Sequence, residues 1–457
     1  MNPTIRIAAA LAVAASPCAF AALPNVTLVK MYDAPTLTRD CEAGLVAVRK
    51  AVDAMAARKG PGDILGDWNR LFIQQEDIQN VPALYATLHP DKDVRAAGED
   101  CEQKFTALAT EINQNEKVYA RLKAFMPANP RQAKLQRDLL KGFEDSGVSL
   151  PPDKRARAKE ILGMLDDLKT AFERNVRDDP TKVIITAAEM EGLPEAYLKV
   201  RKPDAAGNYV LGFDQPSYGP FMANAKSEAA RERYFRMRSN QGGAQNLALL
   251  EEMFKLRQEL AALYGVPTYA DFIQRRRMAG SAAAVNKFLA EIHAAVEPLE
   301  KRELEELRAE KSKERGTPLA ATKVGHWDTA YYFERIRRAR FNVDQEKLRA
   351  YFPSDKSVDF VLLVAEKLYG LKFKETKVPV WHPTVRHFEM YDGPSGKYMG
   401  NFYMDLFPRE GKRPGAFAAP LRSASTIAKR GPSAAMVANL DPRGLNQREL
   451  ETLLHEF

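Results

Sequence analysis

The chain has 457 residues, 45% hydrophobic and 28% charged, with a net charge of +8. It is too long for a typical single domain and apolar enough for a substantial core, so two or more domains are expected. Lysines and arginines are interleaved with acidic residues, and no basic block carries aromatics between its charges, which argues against a nucleic-acid groove.

At the start, Arg6 precedes an apolar run from Ile7 to Ala15, and Ala19-Phe20-Ala21 supplies a small-x-small cleavage site. This predicts a secretory leader over residues 1–21 and a mature start at Ala22. The alanine-rich leader suits export to a bacterial periplasm. The run is too short to span a bilayer, and no later stretch of about 18 apolar residues exists. Cys18 goes with the leader. Cys41 and Cys101 remain, either paired in an oxidising compartment or as two separate buried thiols. Without Cys or His neighbours they are poor metal ligands.

Residues 36–60, 64–88, 92–126, 130–146 and 152–178 read as helices separated by Pro, Gly or Asn breaks such as Pro127-Ala128-Asn129-Pro130. Ile161, Leu165, Leu168 and Phe172 form one helical stripe. Residues 22–180 are thus a helical region. Residues 181–226 form a strand-containing connector, with Val183 to Thr186 and Tyr209 to Leu211 flanking a turn at Gly207-Asn208. Residues 227–457 form the remaining domain. Within it, Val285, Phe288, Leu289, Ile292, Val296 and Leu299 make a second apolar stripe. The charged run from Glu297 to Arg315 keeps Leu299, Leu304 and Leu307 on one side, as in a long solvated helix. Trp327, Tyr331 and Tyr332 read as helix-packing residues.

Residues 378–440 break the helical pattern. Val385, Phe388 and Met390 precede a turn at Asp392 to Gly396; Met399 to Leu406, Gly411 to Ala418 and Ser433 to Leu440 follow, a small sheet in outline. His382 and His387 lie five apart on a predicted strand, hence on opposite faces, and read as structural.

The last helix carries the chemistry. Asn446 is placed to cap it, with Glu449 reciprocating and Leu445 stapling onto Leu450. Leu450, Leu453, Leu454 and Phe457 share one face, and His455 points well away from it. His455-Glu456 is the first half of H-E-x-x-H, in which two imidazoles a helical turn apart hold zinc and the glutamate is the base. The dipeptide alone is also compatible with an ordinary surface pair. The strand Ala434 to Leu440 just upstream admits two readings: a core strand, or an edge strand that aligns an extended substrate through main-chain groups near Val437, Ala438 and Asn439.

Taken in order, several stretches resemble the thimet oligopeptidase family of zinc metallopeptidases, which includes oligopeptidase A and dipeptidyl carboxypeptidase. They are Leu256 to Ala261 with Tyr269-Ala270 and Arg277-Met278-Ala279, Trp327 to Tyr332, Leu348 to Pro353, Gly400 to Leu406 with Arg409, Gly411, Lys412, Gly415 and Ala416, and Glu451 to Phe457. The resemblance implies a mainly α, two-lobed, zincin-type fold with a small β-sheet beside the active-site helix, and hydrolysis of short unstructured peptides at zinc. His455 matches the first zinc ligand and Glu456 the general base. The second His and the completing Glu lie downstream in that family, so the sequence is expected to stop before the metal site is complete and to be inactive as it stands. The expected partners of a monomeric chain are short peptides. A non-catalytic exported peptide-binding protein is the competing reading.

Overall fold

The computed structural model describes residues 28–426 and 428–457; the expected leader and Cys18 lie outside them. Polar caps set most helix starts, their side-chain oxygens accepting otherwise unsatisfied N–H groups. Asp33 opens α1 (Ala34–Ala57), Asp63 opens α2 (Ile64–Leu88) and Asp91 opens α3 (Lys92–Asn113). Asn115 then opens α4 (Glu116–Ala124), accepting from the N–H groups of Lys117 and Val118. The expected single helix over 92–126 is therefore two, because Asn115 ends one ladder and starts the next. Asn129 opens α5 (Pro130–Asp145), and α6 (Pro152–Arg177) follows. Cys41 and Cys101 are joined in a disulfide linking α1 to α3, which resolves the two open readings in favour of the pair.

The connector pairs β1 (Val183–Ile185) antiparallel with β2 (Tyr209–Leu211), with a short α7 (Glu195–Lys199) between them. Then come α8 (Gln215–Asn224), α9 (Glu228–Ser239), α10 (Gly243–Leu263), α11 (Tyr269–Gln274), α12 (Ala282–Arg315), α13 (His326–Phe341), α14 (Gln345–Leu348) and α15 (Ser354–Tyr369). Tyr331 and Tyr332 on α13 pack against Leu307 and donate their hydroxyls to the two oxygens of Glu314, each at 2.7 Å. Asp328 is fully buried and paired with Arg231 and Lys311 at 2.7 and 2.6 Å, locking α13 to α9 and α12.

A five-stranded sheet follows in the spatial order β3-β4-β5-β7-β6. Its strands are β3 (Leu371–Thr376), β4 (Arg386–Asp392), β5 (Tyr398–Asp405), β6 (Phe417–Arg422) and β7 (Ser433–Val437). Only β5 and β7 run parallel; the other pairs are antiparallel. β3 lies upstream of the region expected to hold strands, because its charged Lys372, Lys374 and Glu375 mask the pattern on an edge position. Alternation along the strands gives the sheet two buried faces. Tyr403, Ala435 and Val437 join the core of α1–α4, the largest apolar cluster. Phe388, Met404 and Met436 join a second core with Val358 and Val361 of α15 and Leu453 of the last helix, α16 (Gln447–Glu456).

Candidate functional site

α16 begins as the sequence dictates: Asn446 accepts from the Glu449 N–H at 2.9 Å, and the Glu449 carboxylate accepts from the Asn446 N–H at 3.0 Å. The structure adds a role for Glu449 that the capping pattern does not reveal. Its other oxygen accepts from the Asp441 N–H at 3.0 Å, and the buried Arg349 guanidinium is paired with the oxygen that faces Asn446. Arg349 also donates to the Gly444 carbonyl at 2.7 Å and to Glu346 at 3.0 Å. Burial raises the Glu449 carboxyl above its ordinary value even though Arg349 pulls it down. Gly444 sits at φ +145°, and a Cβ there would lie 2.5 Å from the Arg349 carbonyl, so the turn into α16 requires glycine. Asn446, Glu449, Asp441, Arg349, Gly444 and Glu346 thus together fix the start of the helix.

A second buried cluster supports the strands underneath. Asp405, at the end of β5, is fully buried and accepts from Trp381 at 2.8 Å, from Arg409 at 2.7 Å and from Lys412 at 2.8 Å. The Lys412 ammonium also donates to the carbonyls of Asp405, Phe407 and Ala438. Burial alone would raise the Asp405 carboxyl, but Arg409 and Lys412 outweigh it and hold it below the ordinary carboxylate range. Burial pushes Lys412 down to about 8 against the pull of Asp405. Asp405, Arg409 and Lys412 stand out in the sequence only through the family resemblance; their spacing alone carries no signal of a buried cluster.

At the far end of α16, Leu453 is fully buried and Leu450 partly so. Leu454 and Phe457, expected on the same buried stripe, are 41% and 40% exposed. Phe457 meets the sheet through Phe373 and Phe402, at ring separations of 5.9 and 5.6 Å. His455 is exposed and Glu456 half-buried, and neither side chain forms a hydrogen bond or ion pair with another described residue. The helix therefore presents adjacent imidazole and carboxylate groups with their lone pairs available, from a rigidly fixed base.

The edge-strand expectation at Val437, Ala438 and Asn439 is corrected. β7 is interior: Val437 is opposite Asp405 on one side and Phe417 on the other. The Ala438 N–H donates to the Asp405 carbonyl at 2.9 Å, and its own carbonyl accepts from Lys412 at 2.6 Å. Val437 and Ala438 are fully buried, and the Asn439 amide is held by the carbonyls of Arg413 and Gly415 at 3.0 and 2.7 Å. The physical reason is the return of β6, which pairs beside β7 and takes the outer position, so that of the two open readings the core strand holds. β3 and β6 are the edges. His382 and His387 do not meet: the first is tied to Thr384 at 2.8 Å, and the second is buried in β4 against Thr376 at 2.6 Å.

The donor set does not by itself fit a zinc site. Zinc takes about four ligands, three of them from protein in hydrolytic sites, and no group of three His, Cys, Asp or Glu side chains is assembled among the described residues.

Residues 221–457 match Peptidase family M3. The chain is 33% identical to oligopeptidase A of Salmonella typhimurium over 481 residues, covering 95% of this chain and 68% of that protein. It is 33% identical to oligopeptidase A of Escherichia coli, covering 86% and 60%. The oligopeptidase A of Haemophilus influenzae is 30% identical, covering 71% and 50%. The chain thus spans roughly half to two thirds of the length of these relatives. A family match over half the chain, a third of residues shared with a relative over most of it, and a mainly helical fold with a small sheet under a His-Glu helix together identify the chain as a member of Peptidase family M3, of the thimet oligopeptidase kind.

Proposed function

We propose that this chain serves an exported oligopeptidase activity, with His455 as one metal-ligand imidazole and Glu456 as the general base in hydrolysis of short unstructured peptides. The supporting observation is the placement of these two side chains, adjacent, accessible and unpaired, on a helix whose first turn is fixed by Glu449 and Arg349. The Glu456 carboxylate is free to take a proton from the attacking water and return it to the leaving amine. Zinc, when bound, would polarise the scissile carbonyl and acidify water. No group of three possible ligand side chains is assembled among the described residues, so His455 is the one ligand proposed here. The Cys41–Cys101 disulfide is the kind of bond that persists in an oxidising compartment, which supports the export reading.

The test is Glu456→Gln in an enzyme with the complete donor set, assayed on a quenched fluorescent peptide. Turnover should fall on the order of 10²–10⁴-fold with metal content unchanged. Activity within a few-fold of the parent at equal zinc would place the base elsewhere. Peptide binding without cleavage in the parent would favour the non-catalytic reading.

A further inference from the structure

The turn that delivers α16, residues 441–446, is gripped from two sides that are remote in sequence. On one side lies the segment 346–354. The Phe352 carbonyl accepts from the Leu445 N–H at 2.8 Å, and the Ser354 hydroxyl donates to the Asp441 carbonyl at 2.9 Å. Between them Arg349, besides its contacts with Gly444, Glu346 and Glu449, brings its guanidinium to 3.6 Å from the Asp441 carboxylate. On the other side lies the connector. The Arg443 Nε donates to both oxygens of Asp441, at 2.9 and 3.0 Å, and its guanidinium carbon lies 5.9 Å from the ring centroid of Tyr197 on α7. That is within reach of a cation–π contact. Tyr197 is firmly held: it is fully buried in the connector core, donates to the Ser217 carbonyl at 2.7 Å and carries Arg201 on its ring at 3.5 Å.

Asp441, without exposure, thus stands between two guanidiniums that belong to different grips. Buried charges add little stability over apolar packing, and their best-attested use is to select one geometry. We infer that Arg349 and Arg443 are positioning residues for the His455–Glu456 pair, aiming α16 from a turn clamped between the 346–354 segment and Tyr197 of the connector. The inference rests on the reading of His455 and Glu456 given above. The two arginines act through the helix: at 1.5 Å per residue His455 lies about 9 Å beyond Glu449, so a tilt at the clamp is carried to the imidazole. The connector, otherwise remote from α16 in sequence, becomes the platform against which the helix is set.

The experiment measures amide hydrogen exchange along the 457-residue chain in Arg349→Lys and Arg443→Met. Peptidase kinetics of the same substitutions are measured in the enzyme used for Glu456→Gln. Lysine keeps the charge beside Glu449 but loses the planar fork, and methionine removes the contacts with Asp441 and Tyr197. Exchange over residues 446–456 should rise about tenfold, with α1–α4 and the melting temperature unchanged. Turnover, kcat, should fall about tenfold or more with KM within about twofold of the parent. Tyr197→Phe keeps the ring and should match the parent, whereas Tyr197→Leu should reproduce Arg443→Met. Parent-like exchange over α16 in both arginine variants overturns the inference. So does full turnover of both in an enzyme that Glu456→Gln inactivates. If Arg349→Lys fails to fold, Arg443→Met, whose side chain is 20% exposed, decides by the same two readouts. If Glu456→Gln is itself active, the reading of the site falls, and the exchange measurement still decides the clamp.

Discussion

The helices α1–α4 and the helix α12 are both amphipathic, but they end in different places. The former close a core in which Leu37, Val48, Ile64, Leu88, Val118 and Leu122 have no exposure, capped by Tyr403 and Val437 from the sheet. The latter displays a comparable stripe to water. Periodicity therefore establishes that a face exists, and only a neighbour decides whether it is buried. The same lesson holds on α16, where Leu453 is fully buried and Leu454 is 41% exposed.

The largest expected effect sharpens this contrast on the closed side. Replacing Cys41 and Cys101 with serine opens a loop of 60 residues, and the chain-entropy relation gives roughly 4 kcal/mol of lost stability. Chemical denaturation of the variant measures it, and a loss below about 1 kcal/mol would show that α1 and α3 are held by packing alone.

Asp405→Asn tests the junction between the two sides. It leaves Arg409 and Lys412 without their carboxylate and should cost about 3 kcal/mol at neutral pH. The pH dependence has a definite sign. The folded carboxyl is held below its ordinary value, so its stabilisation is complete above about pH 4 and disappears as pH falls through the lowered folded value. The gap in melting temperature between parent and variant should therefore shrink on acidification below about pH 4. A gap independent of pH would show that the ionised carboxylate is not what matters.

The smallest effect is the sharpest comparison. Leu45→Ala in α1 should cost about 3 kcal/mol, whereas Ile292→Ala in α12 should change the stability of this chain by less than about 0.5 kcal/mol. Equal losses would mean that the α12 stripe is already packed in solution.

How legible was this molecule? The N-terminal helices follow from Asp, Asn and Pro punctuation, and they match closely except where Asn115 splits one of them. The connector hairpin and the Asn446–Glu449 box are likewise local signals. The disulfide partners were countable, but their pairing needs three-dimensional proximity. Strand order was not readable: β7 could be core or edge until β6 is seen to return beside it, and β3 hides behind lysines. Nor was the buried Arg349–Glu449 pair, whose members are 100 residues apart. The proposed function rests on His455-Glu456, which are adjacent in the sequence, whereas the charges that fix their helix are not.

The sheet that serves both cores also sets an order of events in synthesis. The Val29 N–H donates to the Tyr403 hydroxyl across 374 residues, and Leu88 and Thr87 at the end of α2 offer their carbonyls to Arg409 and to the Arg413 N–H. A ribosome delivers α1–α4 long before β5 and β7 exist. The nascent helical bundle must therefore wait, one apolar side uncovered, until residue 437 emerges, and such long-range closure is slow and open to aggregation. Nascent chains arrested before β7 should accordingly be the protease-sensitive species that chaperones engage.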